Sequence, residues 1–230
     1  MRTVYADWRE KDPVVLIHDL QNRLKTEISK KRYLHSVGVM ETAAQLAERF
    51  GGDCLKASLA GLLHDVMREK SEDELLALAA QFRIPLDPLE RKVPVLLHGP
   101  VAACVLAGSY GIDDEEIRQA VYWHTSGCSG MVQLAKIVFI ADAIEPGRDY
   151  EGVREMRRLA QEDLTETMLF VLKNQLEYQR NTGKTPHPQS ILAAAFELEQ
   201  AGQPTRQVIA DHRSVIRKNP GITGEGKQAE

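Results

Sequence analysis

Four histidines and two aspartates, His35, His64, Asp65, His98, His124 and Asp142, lie on or beside apolar helical stripes, each at a helix end or turn. Imidazole nitrogens and carboxylate oxygens are the donors that divalent transition metals take. The most pointed case is His64-Asp65, which ends the apolar run Ala57-Ser58-Leu59-Ala60-Gly61-Leu62-Leu63. His124 and Asp142 each fill the place on a stripe where Leu or Ala is expected. Taken singly, a histidine on an apolar face is more often a satisfied core residue than a ligand. Taken together, six such groups in one core need mutual compensation, because a buried carboxylate without a partner costs at least a few kcal/mol. A divalent cation provides it.

The elements that must position these groups read as helices. Val14, Leu16, Ile17, Leu20, Leu24 and Ile28 form one stripe over 14–31, and Tyr33 to Phe50 continues helically until Gly51-Gly52 stops it. Asp53 is the cap expected for a helix running through Leu63 to Val66, and Ser71 with Glu74 forms a capping-box pattern before Leu75 to Phe82. Pro85, Pro88 and Pro94 interrupt 83–99, which reads as a loop with short helical pieces. Gly99-Pro100 suits the start of a helix ending at Gly111, and Asp113 or Asp114 caps the helix that leads to His124. A Gly-rich loop from Thr125 to Gly130 precedes the stripe Met131, Leu134, Ala135, Val138 that ends on Asp142. Two further stretches over 152–183 and a helix from Gln189 to Gln200 complete the pattern, with no alternating run that argues for a strand. The expected fold is all-α: a single helical bundle over 13–200, followed by a mobile tail over 201–230 in which apolar residues are sparse.

A histidine, an adjacent His-Asp about thirty residues later and a distant aspartate, here His35, His64-Asp65 and Asp142, resemble the HD-domain metal-dependent phosphohydrolases. Arg32-Tyr33-Leu34-His35, Leu62-Leu63-His64-Asp65, Leu97-His98-Gly99-Pro100, His124-Thr125-Ser126-Gly127 and Ala141-Asp142-Ala143-Ile144-Glu145-Pro146-Gly147-Arg148 look like the YqeK branch, the symmetrical bis(5'-nucleosyl)-tetraphosphatases of bacteria. The chain shows Thr125-Ser126-Gly127 where that branch commonly has Thr-Thr-Gly, and Ala143 where an aromatic is common. Neither departure removes a ligand.

The resemblance implies two metal ions bridged by Asp65, with His35, His64 and Asp142 on one side and His98 and His124 on the other. Iron is the family's metal, with manganese or another divalent ion as the alternatives. Diadenosine tetraphosphate is then cut symmetrically to two ADP, with attack by a metal-bridging hydroxide and with Asp65 and His64 at the catalytic centre. Arg148 is the candidate clamp on the polyphosphate. Thr125, the amides around Gly127 and the helix start at Gly99 are candidate phosphate contacts.

Composition narrows the partners. With 43% hydrophobic and 27% charged residues and a net charge of -4, nothing favours a nucleic-acid duplex or an anionic membrane. Cys54, Cys104 and Cys128 form no CxxC pair, which suits a reduced cytoplasmic setting. The first dozen residues lack the apolar core of a signal peptide. A homodimer is the base-rate expectation for assembly. The rival readings are an HD-type nucleotidase or phosphodiesterase acting on other nucleotides, a nucleotide-binding regulatory module without turnover, and a purely structural helical domain.

Overall fold

Side-chain caps set most helix boundaries in the computed structural model of the chain, which describes residues 7–212 and 215. Asp12 accepts the amides of Val14 and Val15 to open α1 (Pro13–Glu27). Ser29 accepts the Arg32 amide to open α2 (Lys30–Phe50), so the stripe expected through residue 31 is cut at Ile28, which is extended. Gly51, at φ 73°, ends α2. Asp53 caps α3 (Cys54–Leu63), and Ser71 and Glu74 form the expected capping box on α4 (Glu72–Gln81). Asp87 and Glu90 form a second such box on α5 (Pro88–Lys92), inside the segment read as mostly loop. The helix expected to start near Pro100 begins at His98 as α6 (His98–Val105) and continues as a π-helical turn over Leu106–Tyr110. Asp114 caps α7 (Glu115–Trp123). The remaining helices are α8 (Gln133–Ile144), α9 (Val153–Leu159), α10 (Leu164–Asn181), α11 (Pro188–Gln200) and α12 (Arg206–Asp211). Among the described residues there is no strand, as expected for an all-α bundle.

The central helix is α3. Every residue from Ala57 to Leu63 is buried, which is what an all-round apolar helix requires. It packs on α2, α7 and α8. Its crossing with α2 depends on Gly61, because a Cβ there would come within 2.9 Å of the Met40 Cα. A smaller apolar cluster of Leu75, Ala79, Ile84, Leu97 and Val101 joins α4 to α6 and the turn before it, while α10 and α11 cover the other side against α8.

The packed unit extends past the 13–200 span read from the sequence. Trp8 is buried in the main core, and Val208 of α12 packs against that core as well. Residues 206–211 of the expected tail are thus helical, held by an apolar contact too sparse to register as a stripe. The rest of that stretch, Val215 apart, lies outside the described residues from 213 on. Among the described residues no helix is long and apolar enough to cross a membrane, and the three cysteines are free.

Candidate metal centre

The six candidate ligands come from five different places on the helical frame. His35 projects from α2, His64 and Asp65 follow the end of α3, His98 opens α6, His124 follows α7, and Asp142 lies in the last turn of α8. One local device aims three of the histidines. Nδ1 lies 2.7 Å from the Gly61 carbonyl in His64, 2.5 Å from the Val95 carbonyl in His98 and 2.7 Å from the Val121 carbonyl in His124, in each case three residues back. A carbonyl only accepts, so Nδ1 carries the proton and Nε2 presents its lone pair. The same bond satisfies a carbonyl that the end of a helical turn would otherwise leave bare.

His35 is fixed differently. Its Nδ1 faces Glu145 Oε1 at 3.1 Å, and the other oxygen of Glu145 accepts the Gly147 amide at 2.5 Å. Gly38 and Gly147 make room for this carboxylate: a Cβ on Gly38 would stand 2.7 Å from Glu145 Oε2, and one on Gly147 3.0 Å.

All four Nε2 atoms converge on Asp65. Its Oδ1 lies 3.1 Å from His98 Nε2 and 3.5 Å from His124 Nε2; its Oδ2 lies 3.4 Å from His64 Nε2 and 3.6 Å from His35 Nε2. Each oxygen therefore faces one pair of histidines. Within the pairs, the Nε2 atoms are 3.0 Å apart for His98 and His124 and 3.2 Å apart for His35 and His64. Asp142 Oδ1 joins the second pair, 3.1 Å from His35 Nε2 and 3.9 Å from His64 Nε2.

This donor set fits a divalent metal. With the Nδ1 protons of His98 and His124 on carbonyls, their Nε2 lone pairs confront each other, and neither ring can donate to its neighbour. Asp65 Oδ1 is buried and has no hydrogen-bond donor. Two sets, His35, His64, Asp142 and His64, Asp65, His124, each bring three donor atoms within 4.8 Å of one another. A cation is the species that accepts from all of these groups at once.

The electrostatics keep both carboxylates ionised. Burial opposes the charge on Asp65, but His64, His124 and His98 hold its carboxyl well below the usual range. Burial likewise opposes charge on Asp142, and His35, His64 and Arg148 overcome it. Burial keeps His98 below its ordinary value despite the Asp65 carboxylate, so this ring stays a neutral donor. His35 is raised: burial works against its charge, but the hydrogen bond and charge of Asp142, with Glu145, outweigh it.

The substrate-contact candidates separate. Arg148 reaches the centre, where its guanidinium pairs with Asp142 Oδ1 and donates through Nε to the Asp142 carbonyl at 2.7 Å. Thr125 reaches it too, its hydroxyl 3.0 Å from His124 Nε2 and 3.1 Å from His98 Nε2. Gly127 does not: it is buried, and its amide donates to the Trp123 carbonyl at 2.8 Å as part of a tight turn at φ 65°. Gly99 is also buried and serves packing, since a Cβ there would come within 3.1 Å of the His124 ring and of two α7 carbonyls. It lets α6 approach His124 closely.

Three contributors escape a reading by motif. Glu145 orients His35, although it is only 5% exposed and directly follows the apolar end of α8. Arg32, one turn before His35, pairs with Asp65 Oδ2. Arg157 of α9 donates to the carbonyls of Ile144, Glu145 and Arg148 at 2.7–2.8 Å and so fastens the loop that carries Glu145 and Arg148. The acidic character and position of Glu145 were visible in the sequence; the long-range partners of the two arginines were not.

The HD domain family profile matches residues 32–147, the span that carries all six candidate ligands. The chain is 37% identical over 169 residues to a symmetrical bis(5'-nucleosyl)-tetraphosphatase of Bacillus subtilis, covering 74% of this chain and 90% of that protein. It is 41% identical over 136 residues to a protein of the same name from Staphylococcus aureus, covering 59% and 70%. Among solved structures, a Clostridium acetobutylicum protein described as a predicted HD superfamily hydrolase involved in NAD metabolism superposes with a TM-score of 0.77 at 33% identity, over 80% of this chain and 97% of that one.

Proposed function

The chain belongs to the HD domain family, and from that membership we propose that it is a divalent-metal-dependent hydrolase that cleaves dinucleoside tetraphosphates symmetrically, diadenosine tetraphosphate giving two ADP. The relatives named for this activity support the reaction. The observation that carries the site assignment is the division of Asp65 between two histidine pairs, one oxygen to each.

In this reading His35, His64 and Asp142 would hold one ion and His98 and His124 a second, with the Asp65 carboxylate, which faces both histidine pairs, available to each. Iron follows from the family resemblance, with manganese or another divalent ion as the alternatives. Bound there, divalent cations supply Lewis acidity towards phosphate oxygens and make a water-derived nucleophile available at neutral pH.

The protein's own groups do the rest. Asp65, Asp142 and Glu145 outnumber the guanidiniums of Arg32 and Arg148, so the side chains alone present net negative charge to a polyphosphate. A site of this sign would attract a polyphosphate only with divalent cations bound by these same residues. Arg148, at the edge of the Asp142 side, offers paired N–H donors to phosphate oxygens. The Thr125 hydroxyl, on the His98 and His124 side, is a second phosphate contact. Glu145 keeps the His35 lone pair aimed at the centre, and the Gly61, Val95 and Val121 carbonyls do the same for the other three rings. Hydrolysis adds one water across the central P–O–P link: the oxygen joins one inner phosphorus, the bridging oxygen leaves on the other, and the halves are both ADP.

Product analysis after incubation of metal-loaded protein with diadenosine tetraphosphate tests the reading. ADP as the sole nucleotide product is expected, and no turnover after chelation. ATP plus AMP would overturn it, because that outcome requires cleavage of an outer P–O–P link.

A further inference from the structure

The loop that leaves Asp142 carries an aromatic ring with no part in the metal centre. Tyr150 is 40% exposed, yet its hydroxyl is satisfied, donating to the Ala143 carbonyl at 2.6 Å with the Met156 sulfur at 3.4 Å. Arg148, two residues earlier, is tied to the carbonyl and carboxylate of Asp142. The guanidinium and the Tyr150 hydroxyl are thus fastened to consecutive residues, Asp142 and Ala143, in the last turn of α8. Burial raises the phenol pKa, with Arg148 opposing and Asp142 adding, so both charges reach the ring. A tyrosine tethered by its hydroxyl while 40% exposed has little side-chain freedom left to lose, and ordering a base against it adds little entropic cost.

We propose that Tyr150 is a stacking platform for a nucleobase of the substrate, and therefore a specificity residue that reads the π-face of a base. The inference rests on the reading that the substrate is a nucleoside polyphosphate: a phosphate held at Arg148 places the attached nucleoside within reach of the neighbouring ring. Every base has a π-face, so stacking of this kind tolerates base identity while rejecting polyphosphates that lack a base. Aromatic exchange should preserve it.

The test measures equilibrium binding of ADP and of inorganic pyrophosphate to the metal-loaded full chain by calorimetry, for wild type, Y150F, Y150L and Y150A. Loss of stacking should weaken ADP binding roughly tenfold in Y150A and Y150L while pyrophosphate binding changes less than about twofold, and Y150F should keep ADP binding close to wild type. Y150L retains bulk over the loop without a π-face, and covers the case in which Y150A fails to fold. The proposal is overturned if ADP and pyrophosphate weaken together, if ADP binding is unchanged in Y150L, or if Y150F weakens it as much as Y150A, which would make the hydroxyl tether the whole role of the residue. Failure of the functional reading looks different: wild type would bind ADP with the same Tyr150 dependence yet release no ADP from diadenosine tetraphosphate.

Discussion

Glu145 Oε1 stands 3.1 Å from Nδ1 of His35, and Oε2 of the same carboxylate accepts the Gly147 amide at 2.5 Å. The carboxylate is held at both ends, so it fixes the ring rather than following it. Glu145→Ala is expected to lower metal affinity by about 10–100-fold, the usual range when the group orienting a ligating histidine is removed. Glu145→Gln should fall between, since its single amide oxygen can accept from His35 or from the Gly147 amide but not from both, leaving an NH2 donor against the other. Competition with a chelator of known affinity measures this, and unchanged affinity in Glu145→Ala would assign His35 no ligand role.

Asp65 faces both histidine pairs, one oxygen to each, which separates its variant from those of the histidines. After metal-replete expression and removal of loose metal, wild type should retain two ions per chain. His98→Ala should retain about one, and Asp65→Ala none, as read by elemental analysis. A wild type with a single ion, or an Asp65→Ala protein that keeps its full complement, would contradict the bridging assignment.

Much of this centre was legible because its ligands break a period. His124 and Asp142 occupy stripe positions where an apolar residue belongs, and His64-Asp65 closes a run that α3 buries on every side. Helix caps at Asp53, Ser71 and Asp114 were readable for the same local reason: a cap bonds within three residues. For Gly127 and Gly99 the sequence shows only that a glycine is present; the structure adds that the Gly127 amide donates to the Trp123 carbonyl and that Gly99 packs against the His124 ring and α7. Glu145 pairs with a residue 110 positions away, and Arg32 with one 33 positions away. No local period reports such partners. Trp8 and Val208 join the core as single apolar contacts, too few to register as stripes beside a charged flank.

Gly61 couples packing to the site. A methyl group there would meet the Met40 backbone at 2.9–3.0 Å, and backbone cannot rotate away as a side chain can. Gly61→Ala should therefore destabilise the fold by about 1–3 kcal/mol, as overpacking does, despite the higher helix propensity of alanine. The shift of α3 also displaces the Gly61 carbonyl that orients His64, so metal affinity should fall with stability. Thermal melts and metal titration of the variant check both, and a Gly61→Ala protein as stable as wild type would mean that α2 and α3 separate at no cost.

Metal should also be a stability ligand for the whole chain. The ligands belong to α2, α3, α6, α7 and α8 or to the turns that end them, so a bound ion ties together elements far apart in sequence and binds the folded state alone. At about 100 times its dissociation constant, an ion that binds only the folded state adds about 2.7 kcal/mol. For a domain of this size that corresponds to a melting temperature about 5–10 °C higher with metal than after chelation. Asp65→Ala should abolish the difference, because it removes the group common to both pairs, while Tyr150→Phe should leave it intact. If chelation moved the melting temperature of wild type and Asp65→Ala equally, the stabilising ion would have to sit elsewhere on the molecule.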